Sequence, residues 1–282
     1  MKAIVLLALV MITGGCNVKK PDPTADIFEG RLRENGIKFE INQQGLYVVR
    51  RNGETLTINL ENIAREYNRS KDAEAVRRFA DRLLTNTVPA ELSWDEVTPC
   101  LRFSIEPDNY VGGFEDVVHK TLSDGLVCVY VFTTKDGANI VWIPKGMLSK
   151  WGVTEQRVRD IAETNMRKIV DLAKIEYKEI DGVKLGMIST TEYPFKASLL
   201  FSDRFRNLVE PTLGFPVYAV APCRDFVYVI PHTNHEFLVR LGSVVKREFE
   251  QSGHSLTMNV LEVSDKGVEV IGTFATKEKN SK

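Results

Sequence analysis

The chain has 282 residues, enough for one large domain or two smaller ones with a substantial apolar core. Hydrophobic residues make up 43% and charged residues 27%, which is typical of a globular protein. The net charge is −1 and no basic stripe is interleaved with aromatic residues. These features argue against a nucleic-acid-binding class, and we expect no nucleic-acid partner.

The chain begins with Met1-Lys2, followed by ten apolar residues from Ala3 to Ile12. A membrane-spanning helix needs about 20 apolar residues, whereas this run has the length of a signal-peptide core. The small residues Gly14 and Gly15 then suit an extended backbone in a peptidase. We therefore predict that residues 1–15 are an export signal.

Thr13-Gly14-Gly15-Cys16 resembles the lipobox of bacterial lipoproteins, with Thr13 in place of the usual leucine. The resemblance implies acylation of Cys16, membrane lipid as a partner, and a lipid-anchored location in the cell envelope facing the periplasm or exterior. The alternative is ordinary cleavage, with Cys16 an incidental residue. Residues 16–24 are rich in proline and charge and predict a short tether.

The first folded segment is predicted to start with a helix capped by Thr24 and ended by Gly36. Asn52-Gly53 lies between two apolar, alternating runs, which indicates a tight hairpin. Helical spacing of apolar residues from Ala73 to Leu84 predicts an amphipathic helix.

The same order of hairpin and helix is predicted twice more. Residues 126–134 and 139–143 predict a second hairpin, and Thr154 caps a helix that runs to about Leu172. Residues 216–220 and 226–230 predict a third hairpin, and Asn234 is predicted to cap the following helix. A last hairpin turns at residues 265–267.

These patterns predict an α+β fold of repeated β-hairpin–helix units, with mainly antiparallel sheets covered by helices. The repeat is one of pattern, so coincidence and duplication both remain open. We expect an N-terminal α+β part over residues 25–175, a C-terminal part over 176–275 and a polar tail over 276–282. Alternatively, residues 174–188 pair as one more hairpin around Asp181-Gly182.

Several segments, in this order, resemble the YtpQ-like family of bacterial proteins, catalogued as domain of unknown function 1444. The segments are Val97–Arg102, Trp151–Thr154, Ile161–Met166, Ala197–Leu200 and Val220–Asp225. The resemblance covers about residues 25–265 and implies a mixed α/β protein. It implies no agreed activity and supplies no catalytic residues, and many members lack an export signal.

Three neighbouring residues, Cys223, Arg224 and Asp225, are weak candidates for a catalytic site because rigid hairpins often present functional groups in their turns. A Cys223 nucleophile needs a nearby imidazole such as His232. The structural alternative is that Arg224 and Asp225 make local turn contacts.

His232 and His235 form a close histidine pair and are weak metal-ligand candidates. Because no acidic residue or cysteine with ligand spacing stands beside them, we expect no bound metal and no cofactor. Cys100, Cys128 and Cys223 are odd in number, so at most one disulfide can form among them, and none is favoured.

The leading hypothesis from the sequence is a noncatalytic, membrane-anchored lipoprotein that binds an envelope protein or another envelope component. The rival is a hydrolase-type enzyme with a site near Arg224 and Asp225. A third hypothesis, a structural or stress-related lipoprotein, is not separated from the first by the sequence.

Overall fold

A computed structural model describes residues 23–43, 45–51, 54–85, 92–109, 115–122, 125–134 and 140–274. It confirms the predicted α+β fold with antiparallel sheets. The predicted export signal, Cys16, most of the tether and the polar tail lie outside the described residues. Among the described residues, no helix combines the length and apolar character needed to cross a membrane.

The N-terminal unit is a three-stranded sheet covered by three helices, and it has an apolar core of its own. Phe28, Val49 and Val76 are fully buried in this core. The first helix begins at Pro23, inside the predicted tether and one residue before the predicted cap at Thr24. The elements are α1 (Pro23–Glu34), β1 (Phe39–Ile41), β2 (Tyr47–Arg51), β3 (Glu54–Ile58), α2 (Glu61–Ser70) and α3 (Ala73–Thr85).

β2 and β3 pair antiparallel from Tyr47 opposite Ile58 to Arg51 opposite Glu54, which confirms the first predicted hairpin. Its Asn52-Gly53 turn lies outside the described residues.

The second sheet has four strands, with β6 paired to β4 on one side and to β5 and β7 on the other. β6 is buried on both faces, which explains its continuous apolar sequence. Thr154 caps α6 as predicted, because its hydroxyl accepts the backbone N–H of Arg157 at 3.2 Å. The elements are α4 (Trp94–Val97), β4 (Leu101–Pro107), β5 (His119–Thr121), β6 (Leu126–Thr133), β7 (Ile140–Trp142), α5 (Lys145–Trp151) and α6 (Glu155–Leu172).

The third sheet has six strands in the order β13-β12-β10-β11-β9-β8, and every pairing is antiparallel. β8 and β9 pair across Asp181-Gly182, which confirms the hairpin alternative for residues 174–188. The elements are β8 (Lys174–Ile180), β9 (Val183–Ser189), α7 (Phe205–Leu213), β10 (Val217–Cys223), β11 (Phe226–Pro231), α8 (Leu238–Gln251), β12 (Asn259–Ser264) and β13 (Gly267–Thr273).

The main apolar core joins the second and third sheets. Val129 on β6, Met166 on α6, Val209 on α7 and Val229 on β11 are fully buried in it. This core therefore contains residues from both sides of the boundary predicted at 175–176. The apolar core of the N-terminal unit is separate from this one.

The contacts between the N-terminal unit and the rest include two polar pairs at α2. Asn62 Nδ2 lies 3.3 Å from His254 Nδ1, and Arg65 donates to the Ser255 hydroxyl at 2.5 Å. Gly253 packs so closely here that a Cβ atom would lie 3.0 Å from the Asn62 carbonyl oxygen.

A repeated hairpin–helix unit is not confirmed. The hairpins β2–β3, β6–β7 and β10–β11 precede helices, but they lie in three different sheets with different neighbours. The predicted cap at Asn234 is wrong, because residues 232–237 form a 3₁₀ helix in which Asn234 has φ −109° and ψ 42°. α8 begins only at Leu238.

Candidate functional site

The β10–β11 turn holds the three predicted catalytic candidates, Cys223, Arg224 and Asp225. Its backbone is fixed from two sides. The Arg224 N–H donates to the His254 carbonyl at 3.2 Å, and the Arg224 carbonyl accepts the N–H of Ala197 at 2.9 Å. The turn is therefore held between the loop after α8 and the 3₁₀ helix Ala197–Phe201.

The Arg224 side chain points into the protein and donates to the Glu106 carboxylate of β4. The Glu106 side chain is 2% exposed and that of Arg224 is 14% exposed. The Ser104 hydroxyl also donates to Glu106 Oε1, at 2.7 Å. Arg224 thus neutralises a buried charge, and the predicted local turn contact is replaced by a pairing across 118 residues.

Cys223 and Asp225 interact through the Cys223 thiol, which donates to Asp225 Oδ1 at 3.2 Å. Burial raises the pKa of Cys223 to about 12, and the neighbouring Asp225 also favours the protonated thiol. Only the thiolate is a good nucleophile, so this cysteine is not activated for attack at neutral pH.

The imidazole close to this turn is His254, and sequence reasoning missed it. Surrounding protein and the Arg224 cation together lower the pKa of His254 to about 4, although one face of the residue reaches solvent. His254 is therefore neutral at pH 7. The structure brings Cys223, Arg224 and Asp225 together with His254, whereas His232 has different neighbours.

The rings of His232 and His235 both contact the ring of Tyr218. Their ring centroids are 4.6 Å and 5.5 Å from that of Tyr218, and His232 Nε2 lies 3.3 Å from Glu262 Oε2. Within the described ranges, no group of three or more His, Cys, Asp or Glu side chains is arranged to hold a metal ion. Ring contacts with Tyr218 and one polar contact with Glu262 account for the positions of the two histidines.

A groove between the second and third sheets was not anticipated from the sequence. We call it the intersheet groove; its volume is about 660 Å³. Its walls come from β4, β5, β6, α6, the segment 200–206, Phe215 and the β12–β13 turn. Strand register explains one wall, since Phe103 lies opposite Tyr130, and both Ile105 and Lys120 lie opposite Cys128.

Five aromatic residues line the groove, of which Phe201 and Phe215 are partly exposed and Phe103, Tyr130 and Phe205 are buried. Phe103 and Tyr130 meet edge to face with centroids 6.5 Å apart, and the Arg206 guanidinium lies 5.1 Å from the Phe215 centroid. Burial raises the pKa of Cys128 to about 12 and raises that of Tyr130 well above its usual range. Both groups are therefore neutral at pH 7.

Six charged side chains also line the groove, and they fall into two sets. Asp203, Arg206 and Asp265 have ion-pair partners. Arg167 donates to both oxygens of Asp203, and Arg206 contacts Asp265 at 3.0 Å and also Glu210. Lys120, Glu163 and Lys266 make no side-chain hydrogen bond or ion pair with any described residue. The groove thus combines a neutral aromatic surface with unpaired charges of both signs.

Sequence reasoning missed the groove because its residues come from separate parts of the chain. The run from Leu126 to Phe132 contains Cys128 and Tyr130 among aliphatic residues, and it predicted only a strand. The turn at Lys266 predicted only a hairpin. The described thiols Cys100, Cys128 and Cys223 are all free.

Comparisons with protein-family models, curated proteins and solved structures found no match to this chain.

Proposed function

We propose that this protein is a lipid-anchored envelope lipoprotein of the YtpQ-like kind, whose folded part is a noncatalytic binding module. The intersheet groove is its binding site. The observation that carries the proposal is a cavity of about 660 Å³, lined by aromatic residues and by charged groups of both signs, whose lining thiol, Cys128, is protonated at pH 7. Sites that bind small ligands commonly have volumes of about 300–1,000 Å³.

The proposed anchor is thioether-linked lipid on Cys16. Each buried methylene contributes about 0.8 kcal/mol, so two or three acyl chains suffice for stable attachment. Only six residues, 17–22, separate Cys16 from Pro23, where α1 begins. Even fully extended, they reach at most about 25 Å, and the N-terminal unit would lie close to the bilayer surface.

The hydrolase alternative has less support. Catalysis at the β10–β11 turn would need a solvent-facing Arg224 and a thiolate at Cys223, but Arg224 is committed to Glu106 and the Cys223 thiol is protonated. The turn residues also do not line the intersheet groove. A binding role therefore fits the arrangement better than nucleophilic chemistry.

Hydrogen bonds connect several of the segments that resemble the YtpQ-like family. The Asn165 amide donates to the carbonyls of Thr98 and Leu101, and the Ser198 hydroxyl accepts the N–H of Ile105 on β4. Ala197 bonds to the Arg224 carbonyl. The resembling segments thus meet around β4, and their polar residues have roles in holding the fold.

Labelled-palmitate incorporation tests the anchor. We expect label on the parent chain and on a Cys100→Ala control, and none on Cys16→Ala. Label that persists in Cys16→Ala would refute the anchor.

Pulldown from solubilised envelopes tests the binding role. We expect the parent chain to capture an envelope component, and a Lys120→Gln/Lys266→Gln variant to lose it. Equal capture by the parent and the variant would show that the binding site is not the groove.

A further inference from the structure

The unpaired charges of the intersheet groove come from three separate elements. Lys120 lies on β5, Glu163 on α6 and Lys266 in the β12–β13 turn. All three residues are exposed to solvent at the groove. Lys266 approaches from the third sheet, so charged groups face the cavity from opposite walls.

The other charged groups at the groove are already neutralised. Asp203 is held by Arg167, while Arg206 is shared by Asp265 and Glu210. The acidic and basic groups in and around the groove are therefore balanced overall, and the three without a partner include both signs. A purely anionic or purely cationic ligand would leave part of this set uncompensated.

We propose that the groove binds a zwitterionic ligand of the short-peptide class, with a free ammonium, a free carboxylate and an apolar side chain. The ligand carboxylate accepts from Lys120 and Lys266, and its ammonium donates to Glu163. Its side chain packs on the partly exposed rings of Phe201 and Phe215. The inference names the ligand of the proposed binding site and therefore rests on the proposed function.

Desolvation explains why the ligand carries both charges. An apolar or fully capped ligand would displace water from the three charged side chains and give them no replacement partner, which is unfavourable. A zwitterion replaces that water with charge-assisted hydrogen bonds. The neutral aromatic surface supplies the apolar part of the affinity.

Isothermal titration calorimetry on the full chain in phosphatidylcholine nanodiscs tests the proposal, with empty nanodiscs correcting for partition of the probes. The probes are leucyl-phenylalanine with free termini, the same dipeptide acetylated and amidated, 3-phenylpropionate and phenethylamine. We expect the free dipeptide to bind at least tenfold more tightly than each of the others. Equal binding of the capped dipeptide or of either singly charged probe would overturn the proposal, as would no binding of the free dipeptide.

Charge-neutral variants locate the site. We expect Lys120→Gln, Glu163→Gln and Lys266→Gln each to weaken binding of the free dipeptide three- to tenfold. Each should leave the unfolding midpoint nearly unchanged, since these exposed side chains make no hydrogen bond or salt bridge with any described residue. Lys178→Gln and Glu176→Gln on β8 are the matched controls and should bind like the parent. Unchanged binding in all three groove variants would refute the site.

The palmitate experiment separates this inference from the anchor. Label on Cys16 without dipeptide binding refutes the ligand class alone. Dipeptide binding without label refutes the lipid anchor and supports the ligand class.

Discussion

Replacing Arg224 with methionine should destabilise the protein strongly while leaving its shape nearly unchanged. Methionine keeps much of the side-chain volume but removes the only cation that contacts Glu106 among the described residues. Glu106 would remain buried with the Ser104 hydroxyl as its contact. Breaking a buried pair by removing one partner typically costs about 3–5 kcal/mol, so we expect a loss of this size in the free energy of unfolding.

Urea unfolding at pH 7 measures this loss. The double variant Arg224→Met/Glu106→Leu removes both charges and should recover part of the stability. Arg240→Met breaks an exposed pair with Asp181 and should lose less than about 1 kcal/mol.

A deficit below about 1 kcal/mol in Arg224→Met would contradict a structural role for the pair. No recovery of stability in Arg224→Met/Glu106→Leu relative to Arg224→Met would contradict the explanation through an unpaired carboxylate. Either result would reopen Arg224 as a functional side chain.

Three further predictions concern packing, pH and thiol reactivity. Gly186→Ala should lower the free energy of unfolding in urea by about 1–3 kcal/mol, because its Cβ would lie 2.7 Å from Leu213 Cδ1 and 3.2 Å from the Val229 carbonyl oxygen. The control Gly146→Ala has open space around its Cβ and should be near neutral. Equal effects of the two substitutions would refute the overpacking argument. The pKa of His254 is lowered from its usual value of 6.5 to about 4, so the unfolded chain binds the extra proton first and stability should fall as pH decreases from about 6.5 to 4. Thermal melts should show that the melting temperature depends less on pH in His254→Gln than in the parent. Identical profiles would count against His254 as the source of this pH dependence. Iodoacetamide labelling followed by mass spectrometry should modify half-buried Cys100 faster than Cys128 and Cys223, whose pKa values burial raises to about 12; comparable rates for all three thiols would contradict that prediction.

Local signals predicted the hairpins well, since alternation and turn residues act over a few positions. The Asp181-Gly182 hairpin illustrates this, because both residues adopt positive φ as a tight turn requires. The start of α8 was harder to predict. Asn234 has the chemistry of a cap, but the 3₁₀ turn that contains it ends before the α-helix begins.

The candidate site could not be read from local patterns. Glu106 and Arg224 are 118 residues apart, and nothing near either residue in the sequence indicates the other. His232 is the histidine closest to Cys223 in sequence, yet His254 is brought near by the loop after α8. The groove likewise depends on how two sheets meet, which periodicity does not specify.

The close approach of Gly253 to Asn62 has a consequence for a protein held at a surface. If Cys16 carries lipid, as proposed, a force from the membrane acts first on the N-terminal unit. It is transmitted to the other sheets by contacts such as Asn62–His254 and Arg65–Ser255. Polar contacts of this kind yield more readily than a shared apolar core. A methyl group added at Gly253 would lie 3.0 Å from the Asn62 carbonyl oxygen, so it would strain the place where the N-terminal unit meets the loop after α8.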